Sequence, residues 1–461
     1  MSTHEIRHKS ALDQADLVRA GAISAVELLA VYQDRIGRLD PGLNAFVETF
    51  PYTSRRRAAA VDRGVARGER SPTFLGVPFA IKDTDPVRFA FNRAGSRAYR
   101  YTWSPFDCAA VTRLRGAGLV LTGKTATSEL ALMPVVETDL QAPTVNPWNP
   151  AHSAGGSSGG AAAAVAAGML PLAHAADGGG SIRIPAALCH LFGFKASRGL
   201  TPHFYSAFDK VALSVMGAVT HTVEDSAAVL DALRGHPGHP AAETSLRAQC
   251  QRPPPRGLRI RLCLSSPVGS VVPEIAAGIE HFAQVLEGMG HHVEPIAPAV
   301  GSLDDFLPIF QRLAANPPAL SEAHLQPITR WLRAAGRGVS HARAQELTDT
   351  LQRRVLDWFG NADLLLTPTI GCFAPKVGAW NDLAPEAAFV AAAELGAFTA
   401  SFNASGQPAA SIPAGIGAEN GLPFGAQLVG RPGADVLLLQ VCRELERALD
   451  WNQHRSPVFR A

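Results

Sequence analysis

The chain has 461 residues, 47% hydrophobic and 18% charged, an ordinary balance for a globular protein with a sizeable core. Its 42 basic and 40 acidic residues leave a formal charge of +2, and the clusters Arg55–Arg57 and Arg353–Arg354 are short enough to be solvated helix faces. That excludes the concentrated positive patch on which nucleic-acid and anionic-membrane binding depend.

The first fifty residues read as helical. Ser24 and Glu27 form a capping box, Ile23 and Leu28 supply the matching hydrophobic staple, and Val26, Leu29, Ala30 and Ile36 fall on one face. Asp40-Pro41-Gly42 is the expected stop. A polar helix follows over 54–67. Residues 73–81 read as a short apolar strand in which Pro78 demands a sheet edge or a bulge. A helix over 111–117 and a buried strand over 118–123 give the alternation of an α/β fold. The segment 143–150 is too rich in proline for regular structure.

Past Gly199 a helix covers 226–233, and the segments 236–240 and 253–255 mark an exposed connector. Residues 258–264 alternate with period two, Pro273 opens a helix to about Gly288, and a strand near Val293 completes a β-α-β unit. Residues 300–360 read as mostly helical, 364–369 and 425–430 as buried strands, and 434–449 as a last helix. No internal repeat is visible. The expectation is a single α/β domain over 1–461.

The six cysteines show no CxxC or zinc-type spacing, so buried free thiols in a reducing compartment are expected, with no disulfide framework and no metal site. The stretch MSTHEIRHKS lacks the apolar core of a signal peptide. The longest small/apolar run, 161–173, is interrupted by Gly168 and Pro171 and is too short to span a bilayer. A cytoplasmic location follows from these features together.

Chemistry concentrates in residues 154–199. Two serines are flanked by glycines, Ser157 in Gly155-Gly156-Ser157-Ser158-Gly159-Gly160 and Ser181 in Gly178-Gly179-Gly180-Ser181. Between them Ala161–Ala167 is a strong helix former of small cross-section. The glycines ahead of Ser181 permit unusual backbone conformations and close approach of a substrate. The N–H groups of Gly178, Gly179 and Gly180 can then converge as an oxyanion hole requires. The chain leaves the loop through a helix started by Pro185, whose amino-terminal potential favours negative charge. The same composition also describes a flexible Gly/Ser spacer, and it is the alanine segment that argues for structure. Neither GxxxxGK[ST] nor GxGxxG occurs in it, so nucleotide binding fits poorly.

Upstream, Lys82 ends the apolar run 75–81. A lysine there is ordinarily a surface group or the partner of an acid, and Asp83 is adjacent. If it is desolvated instead, its pKa falls and the neutral amine is a usable general base. None of the 15 histidines sits in a HExxH frame or beside a GxSxG elbow, although sequence chemistry alone leaves a histidine triad open.

Together these segments resemble the amidase signature family, whose pattern is a Gly-Gly-Ser-Ser-Gly-Gly loop, an alanine-rich helix, then an acidic residue and glycines before Ser-Ile-Arg-x-Pro-Ala. Here that pattern is Gly155–Gly160 followed by Asp177–Ala186, with Ser157 and Ser181 24 residues apart as in the family. Gly76-Val77-Pro78-Phe79-Ala80-Ile81-Lys82-Asp83 is similar to the family's lysine motif. Further matches lie at 123–125, 146–149, 366–369 and 403–409, so the resemblance spans core segments 73–230 and 360–450 around a variable region, about 235–355.

The resemblance implies a mixed, twisted central sheet covered by helices on both faces, and hydrolysis of a carboxylic amide without a cofactor. Ser181 would be the nucleophile, and neutral Lys82 the base. Ser157, following a cis peptide bond, would relay protons between them, and the Gly178–Ser181 N–H groups would form the oxyanion hole. The choice of Ser157 over Ser158 rests on the family pattern. Asp177 and Arg183 would support the loop. The implied partner is a small-molecule amide, with no nucleic acid and no membrane; a homodimer is left open.

Two departures stand out. Members often carry threonine where position 178 is glycine, and this glycine variant resembles the branch containing aminohexanoate cyclic-dimer hydrolases and various bacterial amidases. Residues 83–89 also differ from the usual run and border the site, so an unusual pocket is expected. Acyl transfer to an amine other than water is the close alternative reading. A glutamine-dependent amidotransferase A subunit is disfavoured by Ile182-Arg183-Ile184-Pro185, where those subunits usually carry Ile-Arg-Gln-Pro.

Overall fold

The computed structural model describes residues 2–202, 211–234, 245–298, 300–319 and 321–460. The connector expected at 236–240 lies outside the described residues. The strands are β1 (Phe46–Thr49), β2 (Pro78–Lys82), β3 (Val120–Thr125), β4 (Val145–Asn146), β5 (Asn149–Ser153), β6 (Leu172–Asp177), β7 (Phe192–Lys195), β8 (Val215–Thr220), β9 (Arg259–Leu262), β10 (His292–Pro295), β11 (Leu364–Pro368), β12 (Ala409–Ile416) and β13 (Pro423–Gly430).

The main sheet has eight strands in the order β10-β9-β11-β13-β12-β7-β8-β6. It is mixed: β10, β9 and β11 run parallel, and the remaining pairs are antiparallel. The expected β-α-β unit is present, with helix Pro273–Gly288 joining β9 to β10. Side chains alternate between the faces, as strand geometry dictates. Leu364, Leu366, Ile412, Ala426 and Leu428 pack against helices Val223–Arg234, Pro273–Gly288 and Asp435–Leu449. Leu365, Ala409 and Val429 face the other way, onto Ile309, Leu351, Val355 and Phe402 of helices Leu303–Ala315, His341–Phe359 and Ala400–Ala404. Helices thus cover both faces, as the resemblance implies.

A second, three-stranded sheet, β1-β3-β2, was not expected from the sequence. It sets β2 against β6 of the main sheet. Pro78 opens β2, which is an edge strand and also shifts register between Phe79 and Ala80, so both accommodations of the proline occur. Helix Gly159–Ala166, every residue of which is buried, packs against strands of both sheets. A Cβ on Gly160 would stand 2.4 Å from Ala126 N, a separation that glycine alone allows.

Several local expectations are corrected. The capping box of Ser24 and Glu27 is present, but helix Ala25–Leu43 runs through Pro41. Its end is set by Asn44 in a left-handed conformation, while Asp40 Oδ1 accepts the N–H groups of Ala45 and Phe46. The buried stripe is Ala25, Leu28, Leu29, Tyr32 and Ile36; Ala30 is exposed, because two residues on from Leu28 it points away from the stripe. Residues 46–49 are strand, not helix, and 145–153 form the hairpin β4-β5 despite their prolines. All six cysteines are free, five of them buried.

Candidate active site

Lys82 closes β2, Ser157 and Ser158 precede helix Gly159–Ala166, and Gly178–Ser181 follow the end of β6. Lys82, Ser157, Gly178, Gly179 and Ser181 line one cavity of about 370 Å³. Lys82 Nζ donates to Ser157 Oγ at 2.7 Å. The Gly156–Ser157 peptide is cis, as the resemblance implies. Ser158 N donates to Ser181 O (3.3 Å) and Ser158 Oγ to Ala176 O (3.3 Å), so Ser158 is spent on holding the two serine loops together. Of the two hydroxyls, it is thus Ser157 Oγ that meets Lys82.

The lysine is not a surface group, since it is 1% exposed. Nor is it paired with Asp83, whose carboxylate lies 2.7 Å from the buried Lys124 ammonium. Lys124 also donates to Phe91 O (2.8 Å) and Asn92 Oδ1 (3.0 Å), folding the atypical segment 83–92 into an ordered loop. Thr84 and Asn92 of that loop line the cavity, as expected for a segment that shapes the pocket. Burial lowers the Lys82 pKa to about 7, against the pull of Asp85 and Asp177 in the opposite direction.

The glycine loop is fixed by Asp177 and Arg183, both fully buried. Asp177 accepts from Arg183 Nε and Nη2, each at 2.9 Å. Burial alone would raise this carboxyl; the Arg183 guanidinium, aided by Lys195 and Asn403, overrides it and holds the acid well below the usual carboxylate range. Asp177 also accepts the N–H groups of Ile182 and Arg183 (3.2 and 3.4 Å). Helix Arg183–Leu188 accordingly opens two residues before Pro185, a correction to the proline-started helix. Its free N–H groups are taken by Asp177, so its amino terminus is not spare potential for Ser181.

A second adjustment concerns Gly180. Its N–H donates to Asp177 Oδ1 at 2.7 Å, and its φ of +126° with Thr399 Oγ1 2.2 Å from an added Cβ admits glycine alone. Among the described residues, the N–H groups of Gly178, Gly179 and Ser181 make no hydrogen bond to the protein. At Gly178 an added Cβ would meet Ser214 Oγ at 2.7 Å, so Ser214 occupies the space beside this residue.

Sequence reasoning missed the outer supports. Thr399 Oγ1 donates to Gly179 O (2.7 Å). Asn403 Nδ2 donates to Asp177 O and Oδ1 (both 2.9 Å), and Gln427 Oε1 accepts from Arg183 Nη1 (2.7 Å). Asn403 stood inside a matched motif, 403–409, and Gln427 inside an expected strand; the available signal was a polar residue in an apolar run.

The profile of the Amidase family matches residues 27–439. The chain is 35% identical to the putative amidase AmiB2 of Mycobacterium tuberculosis, over 99% of both chains. It is 33% identical to the 6-aminohexanoate-cyclic-dimer hydrolase of Paenarthrobacter ureafaciens, over 98% of this chain and 97% of that one. A solved 6-aminohexanoate cyclic dimer hydrolase complexed with substrate superposes with a TM-score of 0.90 at 31% identity, over 98% and 99% of the two chains. The mixed sheet, the serine and lysine motifs and these full-length matches agree: the chain belongs to the amidase signature family and is an amidase, a hydrolase of carbon–nitrogen amide bonds.

Proposed function

We propose that hydrolysis proceeds through an acyl-enzyme on Ser181. The observation that carries this reading is the 2.7 Å contact between Ser157 Oγ and a buried Lys82 whose pKa lies near neutrality. Ser181 Oγ bonds to the amide carbonyl carbon, and its proton passes to Ser157, whose own proton passes to Lys82 Nζ. The carbonyl oxygen, now anionic, is met by the N–H groups of Gly178, Gly179 and Ser181, which have no protein partner among the described residues. Gly180 serves as the joint that aims them. Collapse breaks the C–N bond, and the departing amine receives the proton back along the same relay. Water then repeats the sequence on the ester, releasing the acid and restoring Ser181.

A cytoplasmic setting accords with the free thiols, and among the described residues no helix is long and apolar enough to cross a membrane. The experiment is labelling with a fluorophosphonate followed by peptide mapping. Label is expected on Ser181, absent in Ser181→Ala and much reduced in Lys82→Ala. Label on another serine, or none on the folded protein, would overturn the mechanism.

A further inference from the structure

The cavity extends well past the serines. Beside the glycine loop, Phe306 Cζ lies 3.9 Å from where a Cβ on Gly179 would stand. From there an aromatic run continues along helices Leu303–Ala315 and Pro385–Ala393. Phe306 and Phe310 stack with ring centres 5.8 Å apart, and Phe310 and Phe389 are also 5.8 Å apart. Leu130, Met133 and Leu313 complete the apolar wall. A cavity of about 150 Å³ holds one benzene, so about 370 Å³ accommodates the scissile amide together with a ring.

The charge pattern is as informative as the shape. Among the described residues lining the cavity, Lys82 is the only one with an ionisable acid or base of ordinary charge; the other polar groups, such as Asn92 and Asn316, are neutral. Charged residues on the same elements do not line the cavity and are held by protein partners. Asp305 pairs with Arg354, Arg312 donates to Asn316 Oδ1, and Glu129 accepts from Ser96 Oγ and Gln326 N. A substrate ammonium entering this space would meet no acidic side chain on the cavity wall, and burying it without a direct partner is costly. A substrate carboxylate would find Lys82 alone. By holding that lysine protonated, it would remove the base the reaction uses.

We propose that the substrate is an uncharged amide bearing a phenyl-sized apolar group, seated on the Phe306–Phe310–Phe389 wall. The proposal rests on Ser181 being the nucleophile. Its test compares three fluorophosphonates that share one reactive group and carry an ethyl, a 4-phenylbutyl or a 4-carboxybutyl chain. The rate of labelling at Ser181 is read by peptide mapping. The phenylbutyl reagent is expected to label at least about 10-fold faster than the ethyl one and about 100-fold faster than the carboxybutyl one. Phe310→Ala is expected to cut the phenyl-to-ethyl ratio about tenfold, with Phe310→Leu retaining most of it. Rates at Ser181 that are equal across the three reagents would overturn the substrate class and leave the nucleophile standing. Labelling by all three at another residue would overturn the nucleophile, and the substrate proposal with it. If Phe310→Ala fails to fold, the wild-type rates still decide.

Discussion

Lys82 is chemically useful because it is badly solvated. Its ordinary pKa of 10.5 falls to about 7 through burial, so a large share of the amine is neutral near neutral pH. The expected kcat/KM profile therefore rises with pH on a limb centred near 7. A limb nearer 10 would show that the lysine is solvated and is not the base. The same shift carries a stability cost whose sign can be worked out. Between about 7 and 10.5 the unfolded chain holds a proton on Lys82 that the folded chain does not, so stability rises with pH across that window. Lys82→Met removes the term. At pH 7 the variant should exceed the wild type by on the order of a few kcal/mol, less about 1 kcal/mol for the lost bond to Ser157. The gap should close as pH approaches 10.5. Lys195, also buried and lowered to about 7, is present in both proteins and cancels from the comparison. Urea unfolding at several pH values reads the difference, and a gap that stays constant with pH would contradict it.

At the scale of the element, the glycine loop is rigid because of what surrounds it. Gly178–Ser181 would be mobile as a free segment, but Asp177 and Arg183 hold one side and Thr399 the other. Thr399→Val keeps the shape and removes the bond to Gly179 O. It should lower stability by about 1 kcal/mol and kcat by roughly tenfold, with KM nearly unchanged, since the donors act on developing charge. Thr399→Ser should restore kcat; failure to do so would mean the hydroxyl is not what positions the loop. Elements with a local cause were legible in the sequence: the Ser24 capping box, the Pro273 helix, the period-two strand at 259–262 and the accommodation of Pro78. Strands β6, β7 and β8 were not, because apolar residues on both faces leave no alternation to read. Lys82, Ser157 and Ser181 were found by motif. Their supports Thr399, Asn403 and Gln427 lie more than two hundred residues away, where a polar residue can be read locally but the loop it serves cannot.

Across the whole molecule, the two halves of the proposed proton relay belong to different sheets. Lys82 ends a strand of the three-stranded sheet, while Ser181 follows a strand of the eight-stranded one. Helix Gly159–Ala166 packs against strands of both sheets and begins two residues after Ser157, so its depth sets how far apart lysine and serine stand. That depth is possible because Gly160 has no side chain. An added Cβ would be 2.4 Å from Ala126 N, 2.5 Å from Ala45 O and 2.6 Å from Ala126 O, all main-chain atoms that no rotamer change can move. Gly160→Ala must therefore push the small sheet and the helix apart. Overpacking of this kind costs about 1–3 kcal/mol, which a protein of this size can withstand while remaining folded. Its catalytic effect should be larger than its effect on stability. A displacement on the order of 1 Å between reacting groups is worth about 100-fold in rate, and the 2.7 Å contact between Lys82 and Ser157 has little slack. The variant should keep its far-ultraviolet circular dichroism while labelling Ser181 with fluorophosphonate about 100-fold more slowly. A labelling rate within twofold of wild type would mean that the relay does not depend on how the sheets dock.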